Sequence, residues 1–292
     1  MSKIYYHYCS LETLIHIITD KKIRLCNISK MNDEQECINI EEILLKTIVD
    51  KELDKTNPEI IDLVKIYRDY KDDRHMPYIA CFSQENDRLS QWRAYANDGQ
   101  GVCIGFDFEE FEDIEEQSPS LVKSVRKSLG YSKVIYSLEE KIGTIGKILT
   151  SYDIIRKDLN KELNGREIKR LNDFYASKLL EYSTIFKNDA FDEEAEYRII
   201  YLPFPAEIKQ INELPNSITL YNLEDRIELQ RGYYSKGNTI VGFYEYLFNE
   251  TAIKSIVLGP KCKLDVDDID LKNLLKDNNI KAEVSKSKAS YR

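Results

Sequence analysis

Glu194 and Glu196 stand two residues apart in "EEAEYRIIY", residues 193 to 201, and an apolar run follows them at once. On a strand, side chains at i, i+2 and i+4 share one face, so Glu194, Glu196 and Arg198 are expected side by side. Two carboxylates so placed raise one another's pKa, and an arginine beside them can hold one through a bidentate bond. Such a set suits stabilisation of a developing cation. An exposed, charge-balanced sheet edge accounts for the same row equally well.

Three further places carry reactive or ligand-binding residue types. His7 lies in an aromatic strand, "KIYYHYCS", where alternation puts Tyr6 and Tyr8 on one face and Tyr5 with His7 on the other. It reads as a histidine packed at a sheet surface or as a hydrogen-bonding group at a cleft. In "CFSQENDRLSQWRAYANDGQG" a strand exits at Ser83, and a short helix carries Ser90, Trp92, Arg93 and Tyr95. Trp92 and Tyr95 either anchor that helix to a sheet or offer a ring to a flat ligand. "MNDEQE" brings Asn32, Asp33 and Glu36 together. It reads as a turn with capping side chains; metal binding needs converging oxygen ligands from elsewhere as well.

The elements that must position these residues are legible in outline. Ser10 is a helix N-cap before "LETLIHIITDKK", whose apolar face is expected to be Leu11, Leu14, Ile15 and Ile18, with His16 off its centre. "IRLCNI", "PYIACFSQ", "GVCIGFD" and "YSKVIYS" read as strands. Residues 39 to 73 read as helix broken at Pro58, and 138 to 187 as two or three helices broken near Gly165. "AEYRIIYL", "RIELQRGYY", "NTIVGFYEYLF" and "IKSIVLG" read as strands again. A last helix, "DVDDIDLKNLLKD", opens on acids that suit its positive N-terminus, and "KAEVSK" can close the sheet. Strands cluster at both ends of the chain and helix in the middle. The simplest account is one α+β domain over 1–292 with a helical insertion at 138–190. That insertion is heavily charged and reads as a solvated surface or a partner-docking face.

Bulk properties narrow the classes. The chain has 292 residues, enough to bury a substantial core, and 42% hydrophobic with 32% charged residues is the balance of a globular protein. The net charge of −9 argues against a protein that chiefly grips nucleic acid through phosphates. No apolar run approaches the roughly 20 residues a membrane helix needs, and "MSKIYYHYCS" lacks a secretion signal. A cytoplasmic protein is expected. The six cysteines (9, 26, 37, 81, 103 and 262) form no C-x-x-C pair and read as reduced thiols. Neither they nor His7, His16 and His75 have zinc-ligand spacing, so no metal is expected.

The pieces in order resemble the ADP-ribosyltransferase fold, particularly its H-Y-E branch. "YYHYCSLETLIHIITDKKIRL" is similar to that branch's first strand, helix and second strand, with His7 at the histidine position and Tyr8 where the pattern has glycine. "PYIACFSQENDRLSQWRAYA" is similar to its next strand and helix, with Ser90 and Tyr95 in place. "AEYRIIY" is similar to the strand bearing the catalytic glutamate, with Glu196 there and Glu194 completing an E-x-E. The resemblance implies a split mixed or antiparallel sheet and NAD as co-substrate. Glu196 would stabilise the ribosyl oxocarbenium ion, as a carboxylate does in glycoside cleavage. Glu194 would orient or deprotonate an acceptor. His7, Tyr8, Ser83, Ser90, Trp92, Tyr95 and Arg198 would form the binding site. The chain also resembles domain of unknown function family 2971, through "MNDEQE", "CFS", "QWRAYA", "GVCIGF", "EAEYR" and "VLGP". That resemblance implies a bacterial defence, toxin or mobile-element setting. Two other functions stay open: a catalytically degenerate module that docks a partner through helices 138–190, and a metal-dependent nuclease or phosphoesterase using Asp33, Glu36 and Glu196.

Overall fold

A computed structural model describes residues 3–30, 40–50, 63–68, 76–112, 114, 116, 128–159, 165–203 and 227–291. The chain is α+β. Its strands are β1 (Ile4–Cys9), β2 (Lys22–Asn27), β3 (Tyr78–Ser83), β4 (Val102–Asp107), β5 (Leu129–Lys133), β6 (Glu196–Tyr201), β7 (Gln230–Lys236), β8 (Thr239–Leu247), β9 (Ile253–Leu258) and β10 (Glu283–Lys286). The helices are α1 (Leu11–Asp20), α2 (Ile40–Asp50), α3 (63–68), α4 (Leu89–Tyr95), α5 (Leu138–Leu159), α6 (Gly165–Ser183) and α7 (Ile269–Asp277). The ten strands make one mixed sheet in the order β10-β9-β4-β1-β3-β2-β8-β7, with β6 on β3 and β5 on β6. Among the described strands β10 and β9 pair in parallel and the other strand pairs are antiparallel.

The sheet forks at β3. One edge of β3 pairs with β6 from Tyr78 to Ser83. The other edge is divided, with Asn27 and Cys26 of β2 opposite Tyr78 and Ile79, and Tyr6 of β1 opposite Ser83. In the gap between β2 and β1 the carbonyl of Cys81 meets the His7 ring, Nδ1 to O at 2.9 Å. A carbonyl can only accept, so Nδ1 carries the hydrogen. Burial lowers the His7 pKa, against the Cys81 bond that raises it, and the ring is neutral at pH 7.

Register assigns each strand residue to a face. Tyr6 pairs with Ser83, and Ser83 with Glu196, so Tyr6, Tyr8, Cys81, Ser83, Glu196 and Arg198 share one face. Tyr5, His7, Phe82, Tyr197 and Ile199 take the other. The His7 face is an apolar and aromatic core closed by α1 and α7, through Leu14, Ile17, Ile18, Leu271 and Leu275. Ile17, not Ile15, completes the buried stripe of α1; Ile15 points to solvent, because the helix turns its 14–17–18 row onto the sheet. The Glu196 face has two separate covers. Trp92 and Ala96 of α4 pack on Tyr8, Cys103 and Val257. Helices α2, α3, α5 and α6 pack on Ile79 and Ile200. The candidate site lies where these two covers meet.

Helix α4 stops where its sequence turns to Asn97, Asp98 and Gly99, all left-handed (φ 48°, 54° and 82°). Asn, Asp and Gly are the residues that tolerate this conformation. The expected strand "YSKVIYS" starts earlier, at Leu129, and ends at Lys133. Beyond it, Ile135 bridges to Phe186 and ties the segment just after α6 to the sheet. Asp268 caps α7 by accepting from the amides of Asp270 and Leu271, and β10 pairs with β9 as the last strand of one wing.

Candidate functional site

The expectation of Glu194 and Glu196 side by side on one strand is corrected. The strand begins at Glu196; Glu194 ends a 3-10 turn, Asp189–Glu194, begun by the Asn188 side chain accepting from the Ala190 amide. Ala195 between them is left-handed, with φ 44° and ψ 51°. A residue with a Cβ pays about 1–2 kcal/mol for that conformation. Strain of this kind collects at sites where geometry is held for function.

What joins the two carboxylates is Lys187, which the sequence reading did not single out. Its Nζ donates to Glu194 Oε2 at 2.6 Å and to Glu196 Oε2 at 3.1 Å. Arg198 donates from Nε to Glu196 Oε1 at 2.6 Å and from Nη2 to Oε2 at 3.1 Å, the bidentate bond expected of it, and from Nη1 to the carbonyl of Thr184 at 2.6 Å. Nor is this an exposed edge. Strand β6 is flanked by β3 and β5, Arg198 is fully buried, and Glu196 is 4% exposed. Two cations and two anions thus share a desolvated space, where each charge depends on the others.

The surrounding chain fixes this set. Lys141 of α5 donates to the carbonyl of Lys187 at 2.7 Å. Ser83 donates to the carbonyl of Glu194 at 2.7 Å, and the Gln84 amide to that of Ala195 at 3.0 Å. The Glu196 amide donates to the Tyr136 hydroxyl at 3.0 Å. The Tyr95 hydroxyl reaches across from α4 to Glu194 Oε1 at 3.2 Å. Tyr95 is 41% exposed, and it marks the side on which the cluster meets solvent.

The carboxylates titrate apart. Burial pushes the Glu196 carboxyl up, but the charge and hydrogen bonds of Arg198 and the charge of Lys187 overcome this and hold it down at about 2. Burial also pushes Glu194 up, and there Lys187 does not fully offset it; the negative charge of Glu196 adds to the rise. Glu196 is held as the anion, and Glu194 keeps a proton more readily than an ordinary carboxyl.

Other expected site residues take different places. His7 projects from the opposite face of the sheet, so register separates it from Glu196 and the two do not line one cleft. Trp92 is fully buried, edge-on to Tyr8 with ring centroids 4.8 Å apart, and its indole nitrogen donates to Asp87 Oδ1 at 2.7 Å. It is a core anchor, with no face left for a ligand. Tyr8 shares the Glu196 face, but its hydroxyl donates to the carbonyl of Glu85 and accepts from the Arg88 amide, which fixes the loop before α4. The Ser90 hydroxyl is buried with no hydrogen-bond partner among the described residues. Asn32, Asp33 and Glu36 lie outside the described residues, as do Cys37 and His75. Among the described residues no group of three His, Cys, Asp or Glu side chains is placed to hold a metal ion, and no helix is long and apolar enough to cross a membrane. A surface cleft of about 690 Å³ against α7 and β10, lined by Lys272, Leu275, Ile280 and Val284 among others, includes none of the expected site residues.

No curated protein and no solved structure matches the chain. The model of a family described as "Protein of unknown function (DUF2971)" matches residues 91–199. "QWRAYA", "GVCIGF" and "EAEYR" fall inside that span, while "MNDEQE", "CFS" and "VLGP" fall outside it. Tyr95, Tyr136, Lys141, Lys187, Glu194, Glu196 and Arg198 all lie within the segment over which the chain resembles this family.

Proposed function

We propose that the chain cleaves the nicotinamide–ribose bond of NAD and passes the ADP-ribosyl group to water or another nucleophile, with Glu194 as the carboxylate that meets the reactants. The observation that carries this reading is geometric: two buried carboxylates share the Lys187 ammonium, Arg198 holds both oxygens of Glu196, and Glu194 faces the half-exposed Tyr95. Environments that push paired acids apart assign their roles. In the reaction the C–N bond breaks with its electron pair going to the nicotinamide nitrogen, which leaves neutral. Positive charge builds on the ribose carbon and ring oxygen. Water or an acceptor hydroxyl adds to that carbon and gives its proton to Glu194. The raised pKa makes Glu194 a stronger base than an ordinary carboxylate. Glu196, with both oxygens held, is a positioning residue and a fixed negative charge behind the reacting ribose. The forked, largely antiparallel sheet with a helical insertion supports an ADP-ribosyltransferase-like core.

A second reading, a module that binds a partner without turnover, is favoured by one observation. The His7–Glu196 pairing that the resemblance implies is not assembled, and both Glu196 oxygens are already taken. Nicotinamide release from NAD decides between them. The wild-type protein is expected to release nicotinamide, and Glu194→Gln to lower that rate about 100-fold or more, as loss of a general base does. The thermal midpoint should fall as well, because buried Lys187 loses one of its two carboxylate partners, so the rate is compared per folded molecule. A wild-type protein that neither binds NAD nor releases nicotinamide sinks the enzymatic reading.

A further inference from the structure

Tyr136 has no role in the reading above, yet its hydroxyl sits against the cluster. The residue follows β5, where Ile135 bridges to Phe186, so its backbone is tied to the segment that carries Lys187. The hydroxyl oxygen accepts the Glu196 amide hydrogen at 3.0 Å. A tyrosine hydroxyl both donates and accepts. With a lone pair engaged by that amide, its own hydrogen is directed away from the strand, and no acceptor for it occurs among the described residues. The side chain is half-buried, and the charges of Glu196, Lys187 and Glu194 all act on it. Glu194 presents the complementary chemistry. Its oxygens each accept one bond, from Tyr95 and from Lys187, and keep further lone pairs. The rim of the cluster therefore offers one hydroxyl donor and one carboxylate acceptor.

We propose that Tyr136 contacts substrate, donating its hydroxyl hydrogen to one oxygen of a vicinal diol while Glu194 accepts the hydrogen of the neighbouring hydroxyl. Each hydroxyl of a diol can serve as donor or acceptor, so this donor and this acceptor are chemically complementary to it. The inference rests on the NAD reading for the source of the diol, which is the ribose.

Equilibrium binding of ADP-ribose, ribose 5-phosphate and the 2-deoxy and 3-deoxy counterparts of ribose 5-phosphate tests it. Wild-type protein should bind each deoxy sugar about tenfold more weakly than ribose 5-phosphate, the effect of one lost hydrogen bond of about 1.4 kcal/mol. Tyr136→Phe should erase the penalty for one deoxy sugar and keep the other. If the hydroxyl serves only to hold the Glu196 amide, the variant weakens all three sugars alike and both penalties survive, which overturns the inference. Wild-type protein that does not distinguish ribose from its deoxy forms overturns it without any variant, while leaving the NAD reading standing if nicotinamide is released. Discrimination that Tyr136→Phe selectively abolishes, without nicotinamide release from NAD, keeps the diol site and removes the NAD reading. Absence of binding by every sugar and by ADP-ribose overturns the diol site.

Discussion

The two faces of β3 and β6 are made from alternating residues of the same segments, and they solve burial in opposite ways. On one face Phe82 and Tyr197 join Tyr5, whose ring stacks on Tyr197 at 4.1 Å, and Phe82 meets Phe108 edge-on at 4.9 Å. That face is held by area removed from water and by ring geometry, which adapt to small shifts. On the other face Glu196 and Arg198 are as deeply buried, but their stability is conditional. Each charge costs several kcal/mol to desolvate and is tolerable only while its partners are present. The aromatic face can lose a ring and leave a hole; the ionic face cannot lose a member without stranding a charge. The same conditional balance raises the Glu194 pKa and keeps Glu196 ionised, so the costly face is the one on which the proposed chemistry rests.

One large substitution on each face separates the two modes of burial most clearly. Phe82→Ala and Arg198→Met should each cost about 3–5 kcal/mol at pH 7, the first through a cavity and the second through a buried carboxylate left with a share of Lys187 alone. They are told apart by repeating denaturant unfolding near pH 3. The deficit of Arg198→Met should shrink there, because the stranded Glu196 takes up a proton and loses its charge. The deficit of Phe82→Ala should stay constant. Equal deficits at both pH values for Arg198→Met mean that the guanidinium acts as packing alone.

A somewhat smaller effect sharpens the ionic side. The Glu196 carboxyl falls from an ordinary 4.5 to about 2 on folding. A depressed folded pKa adds stability that is complete above the unfolded value and lost as pH falls through the folded one. The contribution, about 3 kcal/mol, should therefore disappear between about pH 4.5 and pH 2. Glu194 has the opposite sign: its raised pKa lets the folded protein gain relative stability as pH falls toward 4.5. Unfolding midpoints of wild type and Glu196→Gln measured down this range should converge. Parallel curves contradict the assignment of Glu196 as the fixed anion.

The smallest effect concerns His7, on the aromatic face. His7→Ala removes the donor to the Cys81 carbonyl in the fork and should cost about 1 kcal/mol. Because register points His7 away from Glu194, nicotinamide release per folded molecule should be unchanged. A loss of turnover matching that of Glu194→Gln would place His7 in the site after all.

Much of this organisation was readable in advance. Alternation correctly separated Tyr6 and Tyr8 from Tyr5 and His7, because a strand's two-residue period is local. The Ser10 cap and the acids opening α7 were readable for the same reason: each is satisfied within a few residues. The bidentate bond of Arg198 to Glu196 is an i, i+2 contact and was equally accessible. Lys187 was not. It lies seven residues before Glu194 and nine before Glu196, across a 3-10 turn and a left-handed alanine, a path that follows neither a helical nor a strand period. Tyr136 was hidden further, sixty residues from the amide it receives.

The sequence by itself determined the α+β class, the strand faces and the presence of a Glu–Arg pair, since these follow from local period and residue chemistry. Tertiary packing alone buries the pair, joins it to Glu194 through Lys187, sets Tyr95 and Tyr136 beside it, and puts His7 on the far side of the sheet. Those facts depend on which strands become neighbours at the fork of β3. Neighbours paired across such sequence distances, from Asn27 with Tyr78 to Tyr78 with Tyr201, leave no periodic trace in the chain, because nothing in the intervening residues has to repeat for them to meet.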